Sequence, residues 1–223
     1  RAGEEVGSWY VFEQLGIYQY DGEVPDPQYA DGIRAGDVKW RDVNNDGQVT
    51  DEDRVIQGSS NPKFFGGWNN TFKWKGLRLD VFFTNKVLAE WMINAARLSH
   101  TSNVLASQVE NRWTGPGSTN EYPRAIFNRA TPNVRNSSRI LHDGSFIRLR
   151  SLVLGYEFPA AITSKLRMKG LRIYFQGDNL FLISKYPGWD PDVSKDLNPL
   201  YYGVDRLTVP QPRMFTFGIN ITI

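Results

Sequence analysis

The only metal chemistry spelled out in the sequence lies in twelve consecutive residues, Asp42-Val43-Asn44-Asn45-Asp46-Gly47-Gln48-Val49-Thr50-Asp51-Glu52-Asp53. Asp42, Asn44 and Asp46 take positions 1, 3 and 5 of a calcium loop of the EF-hand pattern, and Gly47 takes position 6, where the chain must turn sharply. Gln48 offers its backbone carbonyl, Thr50 a ligand directly or through water, and Asp53 stands at position 12. A hard cation such as Ca2+ takes six to eight oxygens, and this spacing provides them. Position 12 is ordinarily a bidentate Glu; the shorter Asp53 weakens that seat and admits Mg2+. A second reading stays open, in which the run is an Asx-rich turn closed by side-chain to backbone hydrogen bonds. Either way the residues suit a structural clip and not a catalytic device. The approach Gly36-Asp37-Val38-Lys39-Trp40-Arg41 reads as extended, where an EF-hand would have a helix.

The other reactive residue types form no constellation. Only His100 and His142 are present, without the partners of a nucleophilic triad or the spacing of a metal site. The absence of cysteine excludes a disulfide scaffold and thiolate zinc. Asp190 and Asp192 lie in Tyr186-Pro187-Gly188-Trp189-Asp190-Pro191-Asp192, but a glycosidase needs two carboxylates at a fixed separation, and nothing in the spacing supplies one. Trp113, Trp189, Tyr201 and Tyr202 could stack on sugars; packing loops together is the commoner use of such residues. Arg78, Arg148, Arg150 and Arg172 read as polar-face residues, either solvated or lining a lumen. A formal net charge of +2 gives no argument for a nucleic-acid partner.

Strands must carry these loops. The final run, Arg213-Met214-Phe215-Thr216-Phe217-Gly218-Ile219-Asn220-Ile221-Thr222-Ile223, puts Phe215, Phe217, Ile219, Ile221 and Ile223 on one face and small or polar residues on the other. It is long enough to cross a bilayer as a tilted strand, and lacks the charges or prolines that blunt soluble edge strands. Thirty aromatic residues (7 Trp, 10 Tyr, 13 Phe) accompany a mean hydropathy of −0.44. That combination fits a barrel whose apolar lipid face alternates with a polar lumen, and fits an aromatic-rich secreted β-domain equally well. No stretch approaches the length of an apolar transmembrane helix.

About six strands are predicted, over 8–20, 63–74, 77–87, 145–158, 171–183 and 213–223. A tight turn at Lys75-Gly76 joins the second to the third. In 145–158, Leu152, Leu154, Tyr156 and Phe158 share a face, but Arg148 and Arg150 share its parity. Either a bulge resets the register or the arginines lie beyond the hydrocarbon. The stretch 8–20 has ambiguous phase. Connections 21–62, 88–144 and 184–212 are long, whereas 75–76 and 159–170 are short, the alternation of external loops and periplasmic turns in outer-membrane barrels. A short helix is expected within Asn103–Trp113. Six strands cannot close such a barrel, since single-chain examples start at eight and lipid does not tolerate an open edge. Further strands must complete it.

Several motifs resemble, in order, the C-terminal part of SusC/RagA-type TonB-dependent outer-membrane transporters of Bacteroidetes. They are Gly36 to Arg54 followed by Ser60-Asn61-Pro62-Lys63-Phe64; Asn111-Arg112-Trp113-Thr114 with Tyr122-Pro123-Arg124; Phe146-Ile147-Arg148-Leu149-Arg150 through Leu154-Gly155-Tyr156; Asp178-Asn179-Leu180-Phe181 with Gly188-Trp189-Asp190-Pro191; and the terminal strand. Ile223 departs from the aromatic usual at the end, and Asp53 resembles the position-12 Asp of dockerin loops. The resemblance implies an all-β fold: the last strands, about six, of a large antiparallel transmembrane β-barrel with long extracellular loops, within a barrel of about 22 strands that holds a plug. Residues 1–223 would be the C-terminal part, with the calcium-like loop inside 36–58 and the plug and TonB box absent. It further implies a nutrient importer for oligosaccharides or peptides in the outer membrane of a Gram-negative, Bacteroidetes-like bacterium. Its partners would be a SusD-like surface lipoprotein lid, TonB through the missing N-terminal part, the rest of the barrel, and outer-membrane lipid. No catalytic residue and no cofactor beyond a structural Ca2+ at Asp42, Asn44, Asp46, Gln48, Thr50 and Asp53 is expected. The competing expectation is a secreted, calcium-stabilised β-sandwich that binds carbohydrate. The terminal strand, the alternating loops and the ordered motifs favour the barrel.

Overall fold

The computed structural model describes residues 3–87, 90–93, 106–126, 133–192, 202–206 and 208–223. They fall into two compact units. One comprises Arg1–Asn61, Glu90–His142 and Ser194–Thr208; the other comprises Pro62–Ala89, Asp143–Val193 and Val209–Ile223.

The first unit is built from short pieces. Strand β1 (Ser8–Phe12) pairs antiparallel with β4 (Arg54–Ser59), and β2 (Gln14–Ile17) with β3 (Val38–Trp40). Helix α1 spans Asp26–Ala30, β7 Glu90–Ile93, α2 Ala106–Glu110 and β8 Leu141–Asp143. Strand β11 (Val204–Asp205) runs parallel to β7. The expected strand 8–20 is therefore two strands with different partners, broken at Glu13. Its ambiguous phase has a physical cause: Val11 and Phe12 are buried in succession, as are Ile17 and Tyr18, so burial does not alternate. Phe12, Ile17, Val38 and Trp40 form one core cluster with Val49 and Trp113 packed against it. Each such side chain contributes roughly 1.5–3 kcal/mol by leaving water. The helix expected within Asn103–Trp113 is α2; residues 103–105, like His100 and Tyr201, lie outside the described residues.

The second unit is one sheet. β5 (Phe64–Trp74), β6 (Leu77–Val87), β9 (Phe146–Glu157), β10 (Gly170–Ser184) and β12 (Met214–Thr222) are hydrogen-bonded in chain order, every neighbouring pair antiparallel. Five predicted strands thus recur within a residue or two, and the sheet holds five rather than six. The short links lie at one end: Lys75 and Gly76 join β5 to β6, and helix α3 (Ala160–Thr163) with a 3-10 turn at Ser164–Leu166 lies between β9 and β10. The long connections leave from the other end. Both outer strands, β5 and β12, have one edge without a partner among the described residues.

Register explains the arginines of β9. Opposite β6, Phe82 pairs with Ser151 and Phe83 with Leu149, so Arg150 is the extra residue of a bulge. Opposite β10, Asp178 pairs with Ser151 and Phe181 with Leu149, with Asn179 left-handed at φ 54°. One extra residue reverses parity beyond it. Arg148 therefore shares the polar face with Ser151 and Val153, while Leu149 and Ile147 continue the apolar face of Leu152, Leu154 and Tyr156. No helix among the described residues is long and apolar enough to cross a membrane.

The turn at Lys75-Gly76 is a two-residue hairpin with positive φ at both positions, 46° and 88°, the conformation that matches strand twist. A Cβ on Gly76 would meet the Glu157 carbonyl oxygen at 2.6 Å, and the Gly76 carbonyl accepts from the Glu157 amide at 2.8 Å. Gly76→Ala is expected to destabilise the sheet by about 1–3 kcal/mol, whereas Lys75→Asn, which keeps a residue tolerant of positive φ, is expected to be neutral. The midpoint of heat-dependent mobility change of the detergent-solubilised barrel on gels reads both.

Candidate functional site

Cross-strand register sorts the second unit's side chains into two faces. Along one face run Trp74, Phe72 and Trp68 of β5; Leu77, Leu79, Val81 and Phe83 of β6; Tyr156, Leu154 and Leu152 of β9; Ile173 and Phe175 of β10; and Ile219, Phe217 and Phe215 of β12. Much of this face is bare: Phe217 is 79% exposed, with Trp68, Phe72, Ile219 and Phe215 comparably open. An apolar surface of this extent on a protein in water is an interaction site or a liability. On strands of nine to fifteen residues, long enough to cross hydrocarbon, it is a lipid face. Aromatic pairs knit it: Trp68 stacks with Phe83 and Phe175 with Phe215, ring centroids 6.0 Å apart in each case.

The opposite face carries Lys73, Thr71 and Asn69; Arg78, Asp80 and Thr84; Ser151 and Arg148; Arg172, Gln176 and Asp178; and Thr216. Near the short links Arg78 forks onto Asp80, at 2.7 Å from Nε and 3.0 Å from Nη2, while the Thr71 hydroxyl donates to the same carboxylate. Near the long connections sits a buried charge network. Arg148 and Asp190, each with a side chain 3% exposed, form an ion pair. Asp190 Oδ1 also accepts from the Asp192 amide at 2.8 Å, and Oδ2 accepts from the Gln211 amide at 3.1 Å. Asp192 in turn receives Lys86 Nζ at 2.8 Å and lies 3.7 Å from Arg150. Arg150 donates to the Asn179 and Gln211 side-chain oxygens, at 3.2 and 2.6 Å. The Phe146 ring lies beneath Lys86 and Arg148. Both oxygens of Asp190 are thus committed, so Asp190 and Asp192 are no hydrolytic pair. They pin the loops after β10 and before β12 to the polar face.

In the first unit, the calcium-like loop is closed by its own hydrogen bonds. Asp42 accepts from the Asn45 and Gly47 amides at 2.7 and 2.8 Å. Asn44 accepts from the Asp46 amide, and Asp46 from the Gln48 amide. Asp53 is fully buried and joins the loop's two ends, accepting from the Val43 amide at 2.8 Å and the Thr50 amide at 2.7 Å. The loop is tied to its surroundings through Val49 in the core and through the Gly47 and Val49 carbonyls, which accept from Gln28 and Arg135. Its oxygens are the donor type a hard cation prefers. Among the described residues, however, no three Asp, Glu or His side chains are grouped as an ion would require.

A second hub escapes a reading of the sequence one motif at a time. Buried Asp37 accepts from Arg124 Nε and Nη2, at 3.0 and 2.9 Å, from Asn133 Nδ2 at 2.9 Å and from the Arg34 amide at 3.0 Å. Gly36 lies against Trp113 and Arg124, and a Cβ there would come within 2.6 Å of the indole. Trp113 packs on the core cluster and donates to Gln19, so its role is packing; Trp189 stays exposed. Burial pushes the His142 imidazole pKa down, with Glu121 opposing, and among the described residues the ring makes no hydrogen bond to an acid or nucleophile. Histidine-based catalysis gains nothing.

The fold and its two faces define a wall segment of a large antiparallel transmembrane β-barrel. No family model matches the chain. Over 99% of its length it is 32% identical to "TonB-dependent receptor P3" of Formosa agariphila, and 24% identical to "TonB-dependent receptor SusC" of Bacteroides thetaiotaomicron. It spans only 22% and 20% of those curated relatives. The solved "RagAB peptide importer in the 'open-open' state" shares the fold at a TM-score of 0.73 and 21% identity, covering 97% of this chain and 22% of that one. In sequence the chain corresponds to a barrel segment of TonB-dependent receptors, SusC among them, and in fold to the same part of RagAB.

If the Arg148–Asp190 pair anchors the long-connection end, Asp190→Ala leaves a buried guanidinium without its counter-ion and costs about 3–5 kcal/mol. The double change Arg148→Met with Asp190→Leu is expected to cost much less. Thermal unfolding of the detergent-solubilised protein distinguishes the two.

Proposed function

We propose that this chain forms part of the barrel wall and outer loops of a nutrient importer in the outer membrane of a Bacteroidetes-like bacterium. The observation that carries the reading is the five-stranded sheet with one bare apolar face, one polar face and two open edges. A secreted β-sandwich would bury that apolar face against a second sheet. Further strands of the same transporter pair with β5 and β12, because lipid tolerates no open sheet edge; in this reading the plug and the TonB-contacting segment belong to the upstream part of the same transporter. The curated relatives carry the name TonB-dependent receptor, and the structural relative is a peptide importer. Both support energised uptake of oligosaccharides or peptides under a SusD-like lipoprotein lid. This segment contributes structure and no catalytic residue. The test is deletion of the whole gene, followed by uptake of labelled oligosaccharides and peptides in parallel. Loss of uptake of one class, restored by the intact gene, is the expected result; unchanged uptake of both would sink the reading.

For the loop at 42–53 we propose a structural Ca2+ held by Asp42, Asn44, Asp46, the Gln48 carbonyl, Thr50 and Asp53. The support is the spacing and the oxygen-only donor set. Calcium is expected to raise the melting temperature of the purified transporter over a chelator control, with Asp42→Ala abolishing the increment. An identical melting temperature in calcium and chelator would leave the hydrogen-bonded turn as the whole clip.

A further inference from the structure

The short-link end of the sheet carries a feature that barrel-wall construction alone does not require. The connection from β9 to β10 forms α3 and a 3-10 turn in which Ile162 and Leu166, four residues apart, are both exposed. Apolar residues four apart on a helical stretch share one face, and this one is uncovered. Beside it in the chain come Lys165, Arg167 and Lys169, all exposed, and exposed Lys75 of the hairpin turn lies at the same end of the sheet. The backbone puts these links at one level: the Lys169 amide donates to the Thr222 carbonyl at 2.7 Å, and the Glu157 amide to Gly76. Four cations therefore stand at this rim, with Glu157 the one carboxylate in the two links and the residues flanking them. None of the four has an ion-pair partner among the described residues. Lys75 lies 5.1 Å over the ring of Trp74, itself largely exposed.

On the membrane reading proposed above, we infer that this rim binds the phosphate headgroups of anionic phospholipid in the leaflet next to the short links. A helical turn with an apolar face and basic flanks lies in the interface plane, its apolar side chains at the acyl boundary and its cations at the phosphates. Ile162 and Leu166 occupy the first position, and Lys165, Arg167 and Lys169 the second. The apolar face of the sheet begins at these same links, with Trp74, Leu77 and Tyr156. A cleft of about 550 Å³, lined by Leu77, Tyr156, Ile173, Phe217 and Ile219 among others, opens on it beside the hairpin. It is the size and chemistry of a seat for part of an acyl chain. Free phosphate could satisfy the cations, but would leave Ile162, Leu166 and the cleft uncovered, so the occupant is a phospholipid.

The experiment uses the complete transporter, purified in a mild detergent and mixed with phosphatidylglycerol and phosphatidylcholine of matched chains at equal concentration. Retained lipid is counted by native mass spectrometry. The expected result is a preference of about tenfold for phosphatidylglycerol, falling toward unity as sodium chloride rises and unmoved by inorganic phosphate at the lipid's concentration. The variant Lys75→Asn, Lys165→Gln, Arg167→Asn, Lys169→Gln is expected to lose the preference while keeping the heat-dependent gel mobility of a closed barrel; Asn is chosen where φ is positive, 46° at Lys75 and 53° at Arg167. Equal retention of the two lipids, an unchanged preference in the variant, or displacement by inorganic phosphate would overturn the inference and leave the membrane reading intact. Should the variant fail to assemble, the salt and phosphate arms on the unaltered protein decide. A protein that retains neither lipid and stays soluble without detergent overturns the membrane reading itself.

Discussion

A strand in hydrocarbon has no water to satisfy its backbone, so every amide and carbonyl must find a neighbouring strand. The second unit obeys that constraint in the simplest way, as a chain-order antiparallel meander. The rest of its design follows. Side chains alternate strictly, so one face goes to lipid and the other does not, and any residue that breaks the alternation has to be absorbed by a bulge. Arg150 is that residue in β9, and its neighbour across the sheet, Asn179, adopts a left-handed conformation to match. Without it, Leu149 and Ile147 would leave the apolar face and Arg148 would enter it.

Polar chemistry is concentrated where the alternation stops. Arg148 with Asp190, and Asp37 with Arg124, are arginine–carboxylate pairs with a buried carboxylate, supported by backbone amides and, at Asp37, by Asn133. Charges taken out of water are tolerable only when paired and hydrogen-bonded; both carboxylates meet that condition in full, whereas Arg148 leaves its buried Nε without a partner among the described residues. They also account for the family-like motifs. Gly36-Asp37 meets Tyr122-Pro123-Arg124, and the Arg148 segment meets Gly188-Trp189-Asp190-Pro191. These signatures hold loops in place.

Period-two patterning made the five sheet strands legible, since each sets a mainly apolar face against a mainly polar one. The stretch 8–20 was not legible for the converse reason: β1 and β2 lie within a packed unit, where Val11 with Phe12 and Ile17 with Tyr18 are buried on successive positions. The bulge was visible as a parity conflict, and only cross-strand register assigned it to Arg150. The loop at 42–53 was legible as a shape, because Asx spacing sets its turns locally. The Asp37 and Asp190 hubs join residues far apart in sequence, and no local period reports a partner at that distance.

That separation has a kinetic side. Arg124 lies 87 residues from Asp37, and Asp190 lies 42 from Arg148. Ordering chain over such spans costs roughly 4 and 3 kcal/mol of closure entropy, against almost nothing for the two-residue hairpin at Lys75-Gly76. Contacts that close short loops form before those that close long ones. On that rule the β5–β6 hairpin and the β9–β10 pair, whose nearest partners (Trp74 with Leu77, Glu157 with Arg172) stand close in sequence, form before either arginine–carboxylate lock closes.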